Sequence, residues 1–311
     1  MIHITTRDIA CAARGGSVVT LGNFDGVHIG HLELVRRLAQ EGNTLGVAKV
    51  VFSFFPHPSL FIGRGNGVRL LLTSKEKREI LAELGVDAFL EYPFDDELKS
   101  MSPQGFVEDI LVGGLGAKAV VMGRNSAFGK NRCGDVTLMR RMGLKLGFNV
   151  YEAAPVMLDG VQASSTLIRQ SIAERDLELA RRLMTRPYQI TGIVERGRQL
   201  GRELGFPTLN VYPQCQKLLP PSGVYITSTK LPDGNILPSI TNVGASPTVD
   251  GANVRARCET HVYRFDADVY SREVTIFFHK HLRNEMKFSS LEELQTQVLK
   301  DIEQGRALAA Q

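Results

Sequence analysis

Tryptophan is absent from the 311 residues and cysteine is scarce: Cys11, Cys133, Cys215 and Cys258 lie far apart, with no Cys-x-x-Cys pair. That spacing argues against a zinc knuckle or a disulfide framework, and it points to a reducing compartment, the cytoplasm. A long apolar run is missing too. No stretch approaches the roughly 18 residues that span a bilayer, so a membrane is not an expected partner. The segment Met1 to Asp8 lacks a basic stretch followed by an apolar one, which argues against an export signal. Charge of one sign is also lacking. Lys and Arg number 37 against 33 Asp and Glu, a formal +4, and the basic residues are spread along the chain without forming tracts. Nucleic acid is therefore not an expected partner. Neither an internal repeat nor a low-complexity tract is evident.

What remains is ordinary globular usage, 43% hydrophobic and 23% charged. At one domain per roughly 100–200 residues, the length predicts two domains. From Val18 to about Ala154, β-rich runs (Val18–Leu21, Ala48–Phe54, Val86–Leu90, Ala119–Met122) alternate with helical patterns such as His31–Gln40. Thr73 opens one helix, and Ser102 followed by Pro103 opens another. Such alternation predicts βαβ crossovers and a parallel sheet with helices on both faces. Helices over Ser165–Ala173 and Asp176–Met184 follow. At Thr185-Arg186-Pro187 the pattern changes to closely spaced strands: Tyr188–Glu195, Thr208–Val211, Gly223–Thr229, Ile240–Val243, Glu259–Phe265 and Glu273–Phe278. Turns at Pro232-Asp233-Gly234 and Asp250-Gly251 punctuate them, as in a small antiparallel barrel. A final amphipathic helix, Ser290 to about Leu308, carries Leu291, Leu294, Val298 and Ile302 on one stripe and would cover that barrel.

Two constellations carry chemistry. The string Gly22-Asn23-Phe24-Asp25-Gly26-Val27-His28-Ile29-Gly30-His31 joins the first strand to the first helix. Two imidazoles beside the unpaired N–H groups of a helix start make a place for phosphate, and the glycines allow close approach. By itself His-x-x-His could be two surface histidines at a turn. The second constellation is Gly201 to Asn210, where Thr208 and Asn210 alternate along a strand and face one way. A hydroxyl beside an amide oxygen suits Mg²⁺, although Thr-x-Asn alone is commonly a solvated edge. Glu259, at the head of a strand pattern, could accept a hydroxyl proton or serve as a cross-strand charge partner.

Taken with Val51–Pro58 and Ser164-Ser165-Thr166-Leu167-Ile168-Arg169, the first string resembles the FMN adenylyltransferase module of bacterial bifunctional riboflavin kinase/FAD synthetases. The order of Gly201–Asn210, Leu219–Tyr225, Asn242-Val243-Gly244, Pro247-Thr248, Glu259-Thr260-His261 and Leu282–Phe288 resembles their riboflavin kinase module. The resemblance implies a Rossmann-like nucleotidylyltransferase domain over 1–184 and a six-stranded riboflavin kinase barrel with its closing helix over 185–311. It implies a route from riboflavin to FMN and from FMN to FAD, with ATP as co-substrate and Mg²⁺ as cofactor. His28, His31, Arg169 and Glu259 would be catalytic. Gly22, Asn23, Phe24, Asp25, Gly30, Ser164, Ser165, Thr166, Gly201 and Thr208 would bind ATP. His57, Asn125, Phe128, Asn210 and Arg283 would contact flavin, and Thr208 and Asn210 would hold the metal.

Departures from the family pattern are Phe55 where an acidic residue is usual before Pro-His-Pro, Ser126 where an aromatic is common, Ala245-Ser246 where an arginine is frequent, and Ser271 where glycine is frequent. A single surviving activity, a non-catalytic flavin-binding protein and an adenylyltransferase with another substrate are the alternatives. Oligomeric state is left open.

Overall fold

The computed structural model describes residues 1–13, 15–63, 68–197, 201, 204–247 and 254–309. They form two compact units, one of Met1–Arg69 with Thr73–Ser165 and one of Leu70–Leu72 with Thr166–Gln311.

In the first unit β1 (Ile2–Ile4), β2 (Ser17–Leu21), β3 (Ala48–Phe55), β4 (Ala88–Pro93), β5 (Ala117–Gly123) and β6 (Asn149–Ala153) form one sheet in the order β1-β4-β3-β2-β5-β6. Each pairing is parallel. The first strand expected from sequence, β2, lies centrally because Val18 and Val19 are fully buried, as the near-continuous apolar runs of two-sided sheets require. Strand order reverses between β2 and β5, the switch point at whose carboxyl end α/β folds bind ligands. The expected strand at Val86–Leu90 begins only at Ala88. Gly85 takes φ 76° and the Val86 N–H returns to Leu81 O, so those residues finish the preceding helix end. Thr73 and Ser102 cap their helices as expected, Thr73 in a reciprocal box with Glu76. Strand β1, the helix Val136–Leu146 and the hairpin of β7 (Met157–Leu158) and β8 (Val161–Gln162) were not anticipated.

In the second unit β9 (Tyr188–Glu195), β10 (Leu209–Pro213), β11 (Gly223–Lys230), β12 (Ile236–Pro247), β13 (Val254–Val262) and β14 (Glu273–Arg283) close into a barrel ordered β10-β13-β12-β11-β14-β9. Every neighbour is antiparallel. Thr185, with φ 60°, ends the helix Leu177–Met184, and Pro187 then starts the chain toward β9. Several strands run longer than their apolar patterns. Strand β13 starts at Val254, so Glu259 stands in mid-strand and not at its head, because β12 offers partners along its whole length. The Asp250-Gly251 turn, Thr248 and Arg202-Glu203 lie outside the described residues.

Alternation divides the barrel into two faces. Tyr225, Thr227, Thr229, Ser239, Thr241 and Thr260 are fully buried. The threonine and serine hydroxyls satisfy one another through Thr227 to Ser239 (2.7 Å), Thr227 to Thr241 (2.9 Å), Thr229 to Ser239 (2.9 Å) and Thr241 to Thr260 (2.9 Å), while Tyr225 donates to Pro221 O. A buried polar core costs little when each member is paired. On the opposite face Val224, Ile240 and Tyr263 cluster with Phe206 and with Val298 and Ile302 of the last helix, Leu291–Ala309. The expected stripe is therefore partly right: Ile302 is buried, while Leu291 at the first turn stands exposed. Leu70–Leu72 joins this unit by backbone pairing of Leu70 with Gln216 and Leu218, and the buried Lys217 ammonium donates to Leu71 O at 2.6 Å.

Candidate functional sites

The first site grows from the carboxyl end of β2. Phe24 (φ 50°), Gly26 (φ 89°) and Val27 (φ 38°) turn the chain through left-handed backbone. For two side-chain-bearing residues that costs about 1–3 kcal/mol each. Complete burial of Phe24 and Val27 holds it, and Ser165 Oγ donates to Asp25 O at 2.7 Å. The helix Ile29–Leu45 begins directly after this loop, longer at both ends than the expected His31–Gln40. His28 is its N-cap: its Nδ1 accepts the Gly30 N–H at 3.1 Å, while the His28 N–H donates to His31 Nδ1 at 3.4 Å. The two rings stack at 3.8 Å between centroids, and Phe24 lies 4.8 Å from His31.

An Nδ1 that accepts from backbone carries no proton, so each neutral ring keeps its proton on Nε2. Both imidazoles are thereby set as donors from a helix start, where the dipole favours an anion. Two glycines are needed for space. A Cβ on Gly30 would lie 3.0 Å from the His28 ring, and one on Gly22 would lie 3.2 Å from Phe24.

The other expected residues of this half fall out differently. Asn23 O accepts from Ser53 Oγ at 3.2 Å, and buried Asp25 lies within the electrostatic reach of buried Lys77. Burial pulls the Lys77 ammonium below its ordinary pKa, against the attraction of Glu91 and Asp25. His57 caps the short helix Pro58–Phe61 through Nδ1, which accepts the Ser59 N–H at 3.2 Å. Phe128 is a core side chain, buried with its ring 5.7 Å from Phe106, while Asn125 is exposed beyond the end of β5. Ser164 and Ser165 group with the first unit, Thr166 and the half-buried Arg169 with the second. Phe55 is exposed, and Ser126 closes a turn onto Gly123 O at 2.9 Å.

The second site is a cavity of about 620 Å³ on the barrel face beneath the last helix. Strand register builds it. Glu259 of β13 stands opposite Asn210 of β10 on one side and Asn242 of β12 on the other, and such cross-strand neighbours share a face. Thr208, two residues before Asn210, lines the same cavity with Gly201 and Arg283. A Cβ on Gly197 would lie 2.4 Å from the Asn210 amide, and one on Gly201 would lie 3.3 Å from Thr208 Oγ1, so bare backbone backs both side chains. His261 Nδ1 donates to Pro207 O at 2.9 Å, and burial, against that contact and with Arg306 nearby, pushes its pKa down.

Arg283 is bound in a fork by Asp301 of the last helix, with Nη2 to Oδ2 at 2.6 Å and Nε to Oδ1 at 2.9 Å. Asn242, Arg257 and Asp301 had no assigned role in the sequence. Only the Asn-Val-Gly motif hinted at Asn242, and its place beside Glu259 is a matter of register. A hydroxyl and a buried amide oxygen, neutral hard donors with room around them, fit a divalent cation that also takes phosphate oxygens. Among the described residues no group of three His, Cys, Asp or Glu converges on a metal position.

A doubly wound sheet with donor imidazoles at its switch-point helix, together with a closed barrel carrying a hydroxyl, two amides and a carboxylate in one cavity, defines an ATP-using transferase with two modules. Family models agree on both: an FAD synthetase model matches residues 11–167 and a riboflavin kinase model residues 184–309. The bifunctional riboflavin kinase/FMN adenylyltransferase of Pseudomonas fluorescens is 40% identical over 95% of this chain and 94% of its own length. That of Escherichia coli K12 is 36% identical over 95% and 93%. A solved structure described as a macrolide-efflux protein from Streptococcus pneumoniae superposes with a TM-score of 0.87 at 26% identity, covering 98% of this chain and 99% of that one. Among the described residues no helix is long and apolar enough to cross a membrane.

The chain belongs to the bifunctional riboflavin kinase/FMN adenylyltransferase family. Both catalytic modules of that family are present in it.

Proposed function

We propose that this chain converts riboflavin to FMN in a module over 185–311 and FMN to FAD in a module over 1–184, consuming ATP at two separate sites in the cytoplasm. The observation that supports the reading is that one chain holds two constellations of different build, the His28/His31 helix start and the Thr208/Asn210/Glu259 cavity, each with groups suited to phosphate.

In the kinase step Glu259 takes the proton of the riboflavin 5′-hydroxyl as that oxygen bonds to the γ-phosphorus, and the bond to the β-phosphate oxygen breaks to release ADP. Thr208 and Asn210 would hold Mg²⁺, which when bound offsets the charge of the phosphates. Gly201 leaves room for ATP and Arg283 borders the flavin side.

In the adenylyl step an FMN phosphate oxygen attacks the α-phosphorus of ATP, and the bond to the β-phosphate side breaks to release pyrophosphate. No side-chain nucleophile is required; orientation and charge stabilisation carry the rate. The Nε2–H groups of His28 and His31 and the guanidinium of Arg169 donate to the phosphate oxygens. Gly22, Asn23, Phe24, Asp25 and Gly30 shape the ATP loop, while Ser164, Ser165 and Thr166 add hydroxyl donors. His57, Asn125 and Phe128 belong to the flavin side of this module.

The test is a product assay. Purified protein with ATP and Mg²⁺ is given riboflavin or FMN, and products are separated by chromatography. FMN from the first and FAD from the second are expected. Absence of FAD from FMN would remove the two-reaction reading.

A further inference from the structure

Within the barrel cavity, one cation stands beside the proposed base without any assigned part. Arg257 and Glu259 lie two residues apart on β13, hence on the same face, and both line the cavity. Arg257 Nη2 meets Glu259 Oε1 at 2.6 Å, with both side chains partly exposed (24% and 31%). An ion pair so open to solvent adds little to stability, too little to explain a guanidinium at this place.

The other cations of the cavity are placed differently. Arg283 is committed to buried Asp301 by its forked hydrogen bonds, and Lys287 is exposed in the segment after β14. Opposite Arg257 in register is Gly244, which presents no side chain; a Cβ there would strike Glu285 Oε1 at 2.7 Å. That glycine leaves room for the Glu285 carboxylate, which also lines the cavity. A nucleoside triphosphate entering this cavity brings several negative charges toward Thr208 and Asn210, which are themselves neutral.

We infer that Arg257 is a phosphoryl-binding residue of the kinase reaction: one N–H edge of its guanidinium holds Glu259, and another takes an oxygen of the γ-phosphoryl group being transferred. The planar fork of arginine can bridge two anions at fixed geometry. It would bring proton acceptor and phosphoryl group into register and stabilise the charge spread over the phosphoryl oxygens in the transition state. The covalent step is unchanged: the hydroxyl proton goes to Glu259, and the γ-phosphorus passes from ADP to the flavin oxygen. This inference rests on Glu259 being the base.

The test uses the full chain with Arg257→Met and Arg257→Lys. Riboflavin phosphorylation is measured with competitive inhibition constants for ADP and for a non-hydrolysable ATP analogue, which report the kinase site alone. FMN adenylylation serves as the internal control. For Arg257→Met, kcat should fall about 10²-fold or more with little change in the riboflavin KM. Inhibition by the triphosphate analogue should weaken about tenfold while that by ADP stays within twofold. Lysine keeps the charge but not the fork and should recover less than tenfold of the lost kcat.

A kcat within threefold of wild type in Arg257→Met, or equal weakening for ADP and the analogue, overturns the inference. Should Arg257→Met lose adenylylation as well, Arg257→Lys decides: normal adenylylation with full kinase rate also overturns it. Glu259→Gln separates the two readings, because an undiminished kinase rate in that variant removes the base while the triphosphate selectivity of Arg257 is still read by the inhibition constants.

Discussion

The two candidate sites are built in opposite ways. At the helix start, ten consecutive residues supply the loop, both imidazoles and the glycines that make room for them, and the chain accepts left-handed backbone at Phe24 and Val27 to bring them together. In the barrel, register between β10, β12 and β13 sets Glu259 between Asn210 and Asn242, while Gly201 and Thr208 join from the segment before β10. A local site tolerates change elsewhere but depends on its own strained turn. A register-built site depends on strands that are far apart in sequence.

The sharpest way to break this comparison is a pair of reciprocal variants. His31→Ala should lower FAD formation about 10³-fold and leave riboflavin phosphorylation within twofold, while Glu259→Gln should do the reverse. Equal losses of both activities in either variant would show that the two sites are not independent.

Next in size is the clamp between the barrel and its last helix. Asp301 is buried and Arg283 partly so, and removing one partner strands the other charge. Asp301→Ala should cost the barrel about 3 kcal/mol, measured by denaturant unfolding, and weaken the kinase while FAD formation persists. A third variant, Gly197→Ala, pushes a methyl into the Asn210 amide and should slow the kinase about 10- to 100-fold without lowering stability much, since misplacing one ligand-holding group is enough.

Acid should also separate the regions. His261 and His281 of the barrel are held below their ordinary pKa, by burial first and by Arg306 and Arg175 respectively. A histidine with a depressed folded pKa binds fewer protons folded than unfolded. The stability it contributes is thus present above roughly pH 6.5, its unfolded value, and is lost as the pH falls through the folded pKa. Riboflavin kinase activity should melt at lower temperature at pH 5.5 than at pH 7.5, and His261→Gln should reduce that difference.

The smallest effect belongs to Ser271, which occupies left-handed backbone (φ 60°) where family members frequently have glycine. Ser271→Gly relieves about 1–2 kcal/mol of strain and loses about 0.4–1 through the freer unfolded chain, for a net gain of about 0.5 kcal/mol by thermal unfolding.

Legibility in the sequence followed the same division. Apolar runs marked β2, β3 and β5, and Thr73, Ser102, Asp176 and Thr185 marked helix ends within a residue or so. These are local signals, a hydroxyl or carboxylate against a free N–H or a buried valine run. Strand β1 escaped because three residues at a sheet edge carry too little pattern, and β12 and β13 ran past their apolar stretches because each lends the other backbone partners. His57 and Phe128 drew attention as flavin contacts, yet a cap and a core contact are also written in the same residues.

By itself the sequence determined the fold of the two modules and the helix start with its paired imidazoles, and it singled out Thr208, Asn210 and Glu259 as candidates, because each depends on residues close together or on motif order. Tertiary structure alone decided that Asn242 flanks Glu259, that Arg257 pairs with it and that Asp301 takes Arg283, since hydrogen-bond register between distant strands leaves no trace in local spacing.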